Sequence, residues 1–332
     1  MKISGLLLFL LCPFPLLSEA VDPFSTFTLA GLAAAAQYHL YCRFRECCSE
    51  DWIPLDVKGL QEDLDNRLFG QHIASEVILK AIRGFLRNPE PAKPLVFSLH
   101  GSSGTGKNFI SRIIAENLYK KGLNSNHVHQ FLPKLNFPDL AHIDKYKQEL
   151  QAIIQERVKA CPRSLFIFNE MDKMHPEIIN VIKPFLDYND LVENVSYRKA
   201  MFIFLSNAGG EQITEFLLNV WKNGKKREEV QMIDLESTLT AEVYNKENSG
   251  FWRSNLIDNN LIDYFVPFLP LEYKHIKLCA KATLKARGFR TDEDTASQIA
   301  DEMIYFPKKE RLFSVKGCKT VSAKVDYFGE PK

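Results

Sequence analysis

A glycine-rich loop between a strand-like and a helix-like segment is the strongest constraint on the fold. Residues 101–108 read Gly-Ser-Ser-Gly-Thr-Gly-Lys-Asn, an apolar run covers 94–100 and a helical pattern covers 109–119. Glycines let consecutive backbone N–H groups turn toward phosphate oxygens, and the following helix adds the positive end of its dipole. Strand, loop and helix in this order are the context that a phosphate-binding loop requires. The chain is therefore predicted to bind a nucleoside triphosphate in an α/β domain.

The loop supplies most of the predicted nucleotide contacts. Lys107 is expected to reach the β- and γ-phosphates, whereas Asn108 stands where Ser or Thr normally offers a hydroxyl to Mg²⁺. An amide oxygen can still ligate a hard cation or hold its water, so metal binding is expected to be altered but not lost. The predicted contacts in the loop are Gly101, Ser102, Ser103, Gly104, Thr105, Gly106, Lys107, Asn108 and Phe109.

Two further apolar strands end in polar residues that would complete such a site. Residues 164–168 are followed by Asn169 and Glu170, where two acids normally hold Mg²⁺ and polarise the attacking water. Glu170 is present, but Asn169 contributes no charge, which predicts a weak or water-mediated Mg²⁺ contact. Residues 201–205 precede Asn207, which is predicted to lie beside the γ-phosphate. The alternative for both strand ends is a simple polar turn.

The N-terminus predicts a secreted chain with peripheral membrane association. Residues 1–20 have the basic start, apolar core and small residues of a signal peptide, with an uncleaved anchor as the alternative. The apolar stretch 24–36 would reach roughly 20 Å as a helix, short of the ~30 Å hydrocarbon core. An in-plane or half-inserted segment is therefore favoured, and a buried core helix is the alternative.

Cysteine usage agrees with an oxidising compartment. Of the seven cysteines, Cys12 lies in the signal, and the even number that remains leaves every pairing open. A glycosylation sequon at Asn194 is predicted on a loop. The formal net charge of +1 gives no electrostatic reason to expect nucleic acid as a partner.

Together these segments resemble torsins, AAA+ ATPases of the endoplasmic reticulum lumen and nuclear envelope. The likeness covers about residues 60–328 and is greatest to the torsin-1 (A/B) subgroup. It is carried by residues 101–108, 166–173, 183–188, 202–209, 248–252, 263–273 and 317–319. An asparagine at the end of the phosphate loop is itself a torsin signature, whereas torsins usually keep an aspartate where Asn169 stands.

The resemblance implies roles in the large domain that the residues alone do not give. The segment Leu68-Phe69-Gly70-Gln71-His72 would cradle adenine, with Gly70, Gln71 and His72 as its predicted contacts. Glu170 would be the catalytic glutamate and Asn207 the sensor-1 residue, beside the γ-phosphate.

The resemblance also assigns roles in the C-terminal region. Lys319 would be sensor 2, a catalytic cation that reports the γ-phosphate from the small domain. A disulfide between Cys279 and Cys318 would tie the redox state to the direction of Lys319. The acidic pair 301–302 would be a helix and interface position.

Two features that Clp-like relatives use in their oligomers are missing from this sequence. Clp-like relatives carry an arginine before Ile-Asp at the end of the large domain, but Leu261 stands there. A homo-oligomer would therefore have almost no ATPase activity. The resemblance implies that a partner supplies the arginine, namely the lumenal domain of lamina-associated polypeptide 1 or that of its relative found throughout the endoplasmic reticulum. Residues 131–146 lack an aromatic-hydrophobic-glycine pore loop, so polypeptide threading is not expected.

The predicted fold is α/β: an AAA+ P-loop NTPase domain with a central parallel sheet flanked by helices, plus a small C-terminal helical domain. The predicted boundaries are 1–20 for the signal peptide, 21–50 for a membrane-associating cysteine-bearing segment, 51–270 for the large domain and 271–332 for the small one. The nucleotide is expected between these two domains.

Three functions from different classes follow. The first is a partner-activated ATPase that remodels protein or membrane assemblies at the nuclear envelope. The alternative is a nucleotide-gated binding module, which Asn108 and Asn169 favour. A third hypothesis is a lumenal chaperone that holds clients through exposed aromatic residues such as Trp221 and Trp252, regardless of nucleotide.

Overall fold

The computed structural model describes residue 37 and residues 40–245, 255–258 and 260–331. It divides into two compact units, Met1–Cys47 and Cys48–Lys332. The predicted signal peptide, the apolar stretch 24–36 and Trp252 lie outside the described residues. In the described part of the chain, no helix combines the length and apolar character needed to cross a membrane.

A five-stranded parallel sheet forms the centre of the second unit and confirms the predicted fold class. Its strands are β1 (Leu95–His100), β2 (Val128–Phe131), β3 (Leu165–Phe168), β4 (Met201–Ser206) and β5 (Tyr264–Pro267), in the spatial order β2-β3-β4-β1-β5. Helices cover both faces, which is why β3 and β4 at the centre of the sheet read as continuous apolar runs and not as alternating ones. Because all pairs are parallel, the segments after β1, β3 and β4 meet at one edge.

Nine helices of eight or more residues are found in the described chain. They are α1 (Val57–Arg67), α2 (His72–Arg87), α3 (Lys107–Leu118), α4 (Ile143–Ala160), α5 (Gly210–Lys222), α6 (Met232–Asn245), α7 (Tyr273–Ala286), α8 (Glu293–Asp301) and α9 (Val321–Phe328). Shorter helices span Pro133–Asn136, Pro176–Asn180, Lys183–Leu186 and Asn255–Asp258. The isoleucines at 110, 113 and 114 of α3 are fully buried against the sheet, as the helical spacing requires.

The C-terminal region packs around a hydrophobic cluster of its own. Helices α7, α8 and α9 bury residues such as Leu271, Ile276 and Val325, and a short antiparallel pair joins β6 (Tyr305–Phe306) to β7 (Phe313–Ser314). The buried Arg227 fixes the chain where this region begins. Its guanidinium donates to Pro270 O at 2.8 Å and to Gly70 O at 2.6 Å, and it pairs with Glu272.

Three disulfides join the six described cysteines. Cys42 bonds to Cys47 within the first unit, Cys48 bonds to Cys161 at the end of α4, and Cys279 bonds to Cys318. The last pairing is the one that the torsin resemblance implied. The first two could not be chosen from the sequence.

Several surface predictions can be compared with the structure. Asn194 lies on an exposed turn, as predicted, and use of its sequon stays a prediction. Trp221 is 46% exposed, so part of this residue is accessible from the surface. In the region predicted to lack a pore loop, Leu135 in the short helix Pro133–Asn136 and Leu140 after it are exposed. Leu261, at the arginine position, is fully buried in the main core.

A buried ion pair joins the start of β1 to the chain before β5. Lys93, which is 6% exposed at its side chain, lies 2.7 Å from Asp263, and the same carboxylate accepts the Val96 N–H at 2.8 Å. We expect Asp263→Ala to lower the free energy of unfolding by about 3–5 kcal/mol, because it leaves a buried ammonium unpaired. Urea denaturation checks this. The Lys93→Met/Asp263→Ala double variant should lose less of the free energy of unfolding than Asp263→Ala alone, because it contains no buried ammonium. An equal loss in the two variants would contradict the role of the charge.

Candidate nucleotide-binding site

A cavity of about 560 Å³ opens at the edge of the sheet where β1, β3 and β4 end. This volume is typical of sites for small molecules and cofactors. It is lined by Arg67, Leu68, Phe69, Ser103, Gly104, Thr105, Gly106, Lys107, Asn108, Phe109, Glu170, Leu205, Ser206, Asn207, Leu271, Cys279, Ala282, Thr283, Cys318 and Lys319. The structure thus brings together the predicted phosphate loop, the ends of two further strands and the C-terminal region.

The phosphate loop has the backbone shape that its glycines permit. Gly104 and Gly106 have φ values of 81° and 113°, which side-chain-bearing residues rarely adopt. The loop runs directly into α3 at Lys107, so the amino end of that helix faces the cavity. Gly101 and Ser102 do not line the cavity; their carbonyl groups accept hydrogen bonds from Lys107.

Lys107 is buried against its own loop. Its ammonium group donates to Gly101 O and, at 2.9 Å, to Ser102 O. Burial lowers the pKa of Lys107 to about 8, and the attraction of Asp172 partly opposes that shift. A phosphate group beside this ammonium would favour its charged form.

The two asparagines at the predicted metal positions bond to each other. Asn108 Nδ2 donates to Asn169 Oδ1 at 3.1 Å. The sequence predicts both side chains as weak Mg²⁺ ligands, and Mg²⁺ takes oxygen donors, usually from carboxylates. Because neither residue offers a carboxylate and the nitrogen of Asn108 faces the oxygen of Asn169, the pair does not fit a Mg²⁺ ion held by both residues.

The polar residues after β3 and β4 are held close together. Glu170 has a φ of 50°, lines the cavity and pairs with Lys173 at 3.0 Å. Asp172, which sequence reasoning did not select, accepts the Asn207 N–H at 2.9 Å and contacts Ser206 Oγ at 3.5 Å. It therefore fixes the end of β4 relative to β3. Its position two residues after the predicted catalytic glutamate could have identified it as a residue of the site.

A turn from the C-terminal region docks on the phosphate loop. The Cys318 N–H donates to Gly104 O at 3.0 Å, and Lys319 lines the cavity beside it. A Cβ atom added to Gly317 would lie 2.2 Å from Gly104 O, and one added to Gly104 would lie 1.9 Å from Lys316 O. Neither contact leaves room for a side chain.

Two family models match this chain. The model named Torsin matches residues 42–168, and the model named Torsin-1A, C-terminal domain matches residues 271–328. The chain belongs to the torsin family. The C-terminal match is of the torsin-1A type, and torsins are AAA+ ATPases, which use a nucleotide and typically Mg²⁺.

Solved structures of Hsp104 share the fold of this torsin. A closed-state cryo-EM reconstruction of Hsp104 with ATPγS and FITC-casein is 16% identical, with a TM-score of 0.60 over 82% of this chain and 46% of that one. The Hsp104–ADP complex of S. cerevisiae is 17% identical, with a TM-score of 0.57 over 91% and 51%. The extended S. cerevisiae Hsp104–casein complex is 17% identical, with a TM-score of 0.63 over 92% and 55%. The torsin spans about half the length of these chains, and the likeness supports the AAA+ fold.

The adenine end of the site in this torsin differs from the prediction. Gly70, Gln71 and His72 do not line the cavity beside the phosphate loop; they line a second cavity of about 840 Å³. Leu68 and Phe69 line both cavities, opposite Leu271, Cys279, Ala282 and Thr283 in the first.

Backbone hydrogen bonds explain why these predicted side chains point elsewhere. The buried Gln71 amide donates to Thr105 O and Leu269 O and accepts the Leu269 N–H, all within 2.9 Å. The His72 ring bonds to Val230 O at 2.9 Å. Both residues therefore connect segments of backbone next to the site.

A buried histidine under the phosphate loop was also missed by sequence reasoning. His100 ends β1, its Nδ1 donates to Ala208 O at 3.2 Å and its Nε2 accepts from Ser98 Oγ at 2.6 Å. Burial, together with the charge of nearby Lys107, lowers the pKa of His100 to about 3. The ring is therefore neutral and adds no charge beneath the phosphate site. A polar residue ending an apolar strand was the signal for it.

The docking of the turn on the loop can be tested with paired glycine variants. We expect Gly317→Ala to weaken ATP binding by about tenfold or more, because its Cβ would push Gly104 and Lys319 apart. Gly288→Ala is the control: Gly288 also has a positive φ, but a Cβ there meets no atom within 4 Å. Calorimetric titration of both variants checks this. Equal affinities would contradict a role for the contact.

The lowered pKa of Lys107 predicts a pH-dependent affinity. Above about pH 8 the free protein loses the Lys107 proton, so ATP binding has to take one up. We expect the affinity to fall by up to about tenfold per pH unit between pH 8 and 9. Calorimetry in buffers of different ionisation enthalpy should detect the proton uptake. The Lys107→Met variant should bind weakly with no such slope, and a flat wild-type profile would contradict the prediction.

Proposed function

We propose that this torsin binds ATP and hydrolyses it when a membrane-protein partner supplies an arginine. One observation carries the proposal: Lys107, Glu170, Asn207 and Lys319 line a single cavity. Of the described residues around that cavity, Arg67 is the one arginine. It is held by Asp63 at 2.8 Å and Glu116 at 3.0 Å.

The proposed chemistry uses the groups of this cavity. Glu170 accepts a proton from a water molecule as the water oxygen attacks the γ-phosphorus, and the bond to the β–γ bridging oxygen breaks to release ADP and phosphate. Lys107 and Lys319 offset the negative charge of the phosphates, and Asn207 orients the water. No step is assigned to Asn108 or Asn169.

The need for a partner is supported by what occupies the arginine position. Leu261 is fully buried there, in the main core, so that position offers no charge to a neighbouring copy in a homo-oligomer. An arginine delivered by another protein can raise the rate by about 10³–10⁵-fold in related reactions. The partners we propose are the lumenal domains of lamina-associated polypeptide 1 and its relative in the endoplasmic reticulum.

The proposed location is the endoplasmic reticulum lumen and the nuclear envelope, with peripheral membrane association. Three disulfides in the described chain support an oxidising compartment. There the ATPase would remodel protein or membrane assemblies.

A second candidate function is a nucleotide-gated binding module. It is favoured by the hydrogen bond between Asn108 and Asn169, which leaves no carboxylate at either of the usual metal positions. In this case ATP would control partner docking through the turn that contacts Gly104, and turnover would be slow or absent.

ATP turnover with and without the partner separates these functions. We expect the chain alone to be nearly idle, and addition of the lumenal partner domain to raise phosphate release by about a hundredfold or more. Glu170→Gln should abolish that release while ATP-dependent partner binding remains, because only the base is removed.

The binding module predicts a different result in the same assay. Partner binding that requires ATP, without phosphate release, would exclude the partner-activated ATPase. Recovery of release by Asn169→Asp in the same assay would then identify Asn169 as the cause.

A further inference from the structure

The amide pair at the metal positions is oriented by the sheet behind it. Asn169 follows β3 and is buried, and both its backbone N–H, at 2.9 Å, and its Nδ2, at 3.5 Å, face Phe131 O on β2. A carbonyl oxygen only accepts, so the amide nitrogen of Asn169 faces β2 and its oxygen faces Asn108. The Asn108 Nδ2 to Asn169 Oδ1 contact then satisfies that oxygen.

The charges around this pair favour phosphate without help from a metal. The charged residues that line the cavity are Arg67, Lys107, Lys319 and Glu170. Arg67 is paired with Asp63 and Glu116, and the Glu170 carboxylate is paired with Lys173, so within the described chain Lys107 and Lys319 are the charges that face a phosphate without an acidic partner in a salt bridge. The nearby Asp172 carboxylate accepts from the end of β4. The described groups at the phosphate end are therefore positive or neutral, apart from carboxylates that already have partners.

An aspartate at position 169 would change this balance. In P-loop NTPases that aspartate and a loop hydroxyl hold Mg²⁺, which stands between the carboxylate and the triphosphate. Without the ion, the two sets of negative charge repel each other. An asparagine of the same shape removes the repulsion and, with it, the requirement for the ion.

We propose that this cavity holds ATP without a divalent cation, so that its occupancy follows the ATP concentration and is insensitive to Mg²⁺. The specificity-determining residues are Asn169 and its partner Asn108. The inference rests on the proposed function in one respect, namely that the cavity takes ATP.

The test compares ATP affinity of the full chain in excess Mg²⁺ and in EDTA by calorimetric titration. We expect the two dissociation constants of the wild type to agree within about threefold. Asn169→Asp, which changes charge at constant shape, should bind ATP about tenfold or more weakly in EDTA than in Mg²⁺. Asn108→Asp puts the charge on the other member of the pair and carries the same expectation if Asn169→Asp does not fold.

The possible results are distinguishable. A wild-type affinity that falls tenfold or more in EDTA would overturn the inference and leave the proposed function intact. An aspartate variant that folds but shows the same Mg²⁺ response as the wild type would overturn the assignment to the amide pair. Absence of ATP binding in both conditions would reject the ATP site itself, and with it the proposed function.

Discussion

The parallel pairing of β1 with β4 is the constraint on which the site depends. With β1 between β4 and β5, and β3 on the far side of β4, the segments after three strands converge at one edge. About a hundred residues of sequence lie between the phosphate loop and Asn207, with Glu170 between them. Only this register brings all three to one cavity. The extensive burial of the strands keeps the register fixed, since a slip would expose apolar side chains.

The C-terminal region completes the site by contacting backbone as well as by adding side chains. Its turn meets the phosphate loop at Gly104, where two glycines let the chains approach closely. The Cys279–Cys318 disulfide is beside this contact and lines the same cavity. The nucleotide site is thus composed of two parts of the chain, and Arg227 fixes the backbone at the point where they join.

Much of this arrangement could be predicted from the sequence. The phosphate loop, the polar ends of β3 and β4 and the position of Lys319 follow from local pattern and family resemblance, because contiguous residues specify them. The adenine end could be predicted only in part: Leu68 and Phe69 of the predicted segment line the cavity, but Gln71 bonds to Leu269, almost two hundred residues away. The bond between Asn108 and Asn169, and the disulfides of Cys42 and Cys48, likewise depend on distances that only the folded chain fixes.

The Cys48–Cys161 disulfide has a mechanical consequence. It closes a covalent ring that contains β1, the phosphate loop, β2 and helices α1 to α4, while β3, β4 and β5 lie outside the ring. Tension applied between residue 48 and the C-terminus passes directly from one sulfur to the other. The backbone inside the ring is outside the covalent path of that load, so pulling can unravel the later strands without extending the chain of the phosphate loop.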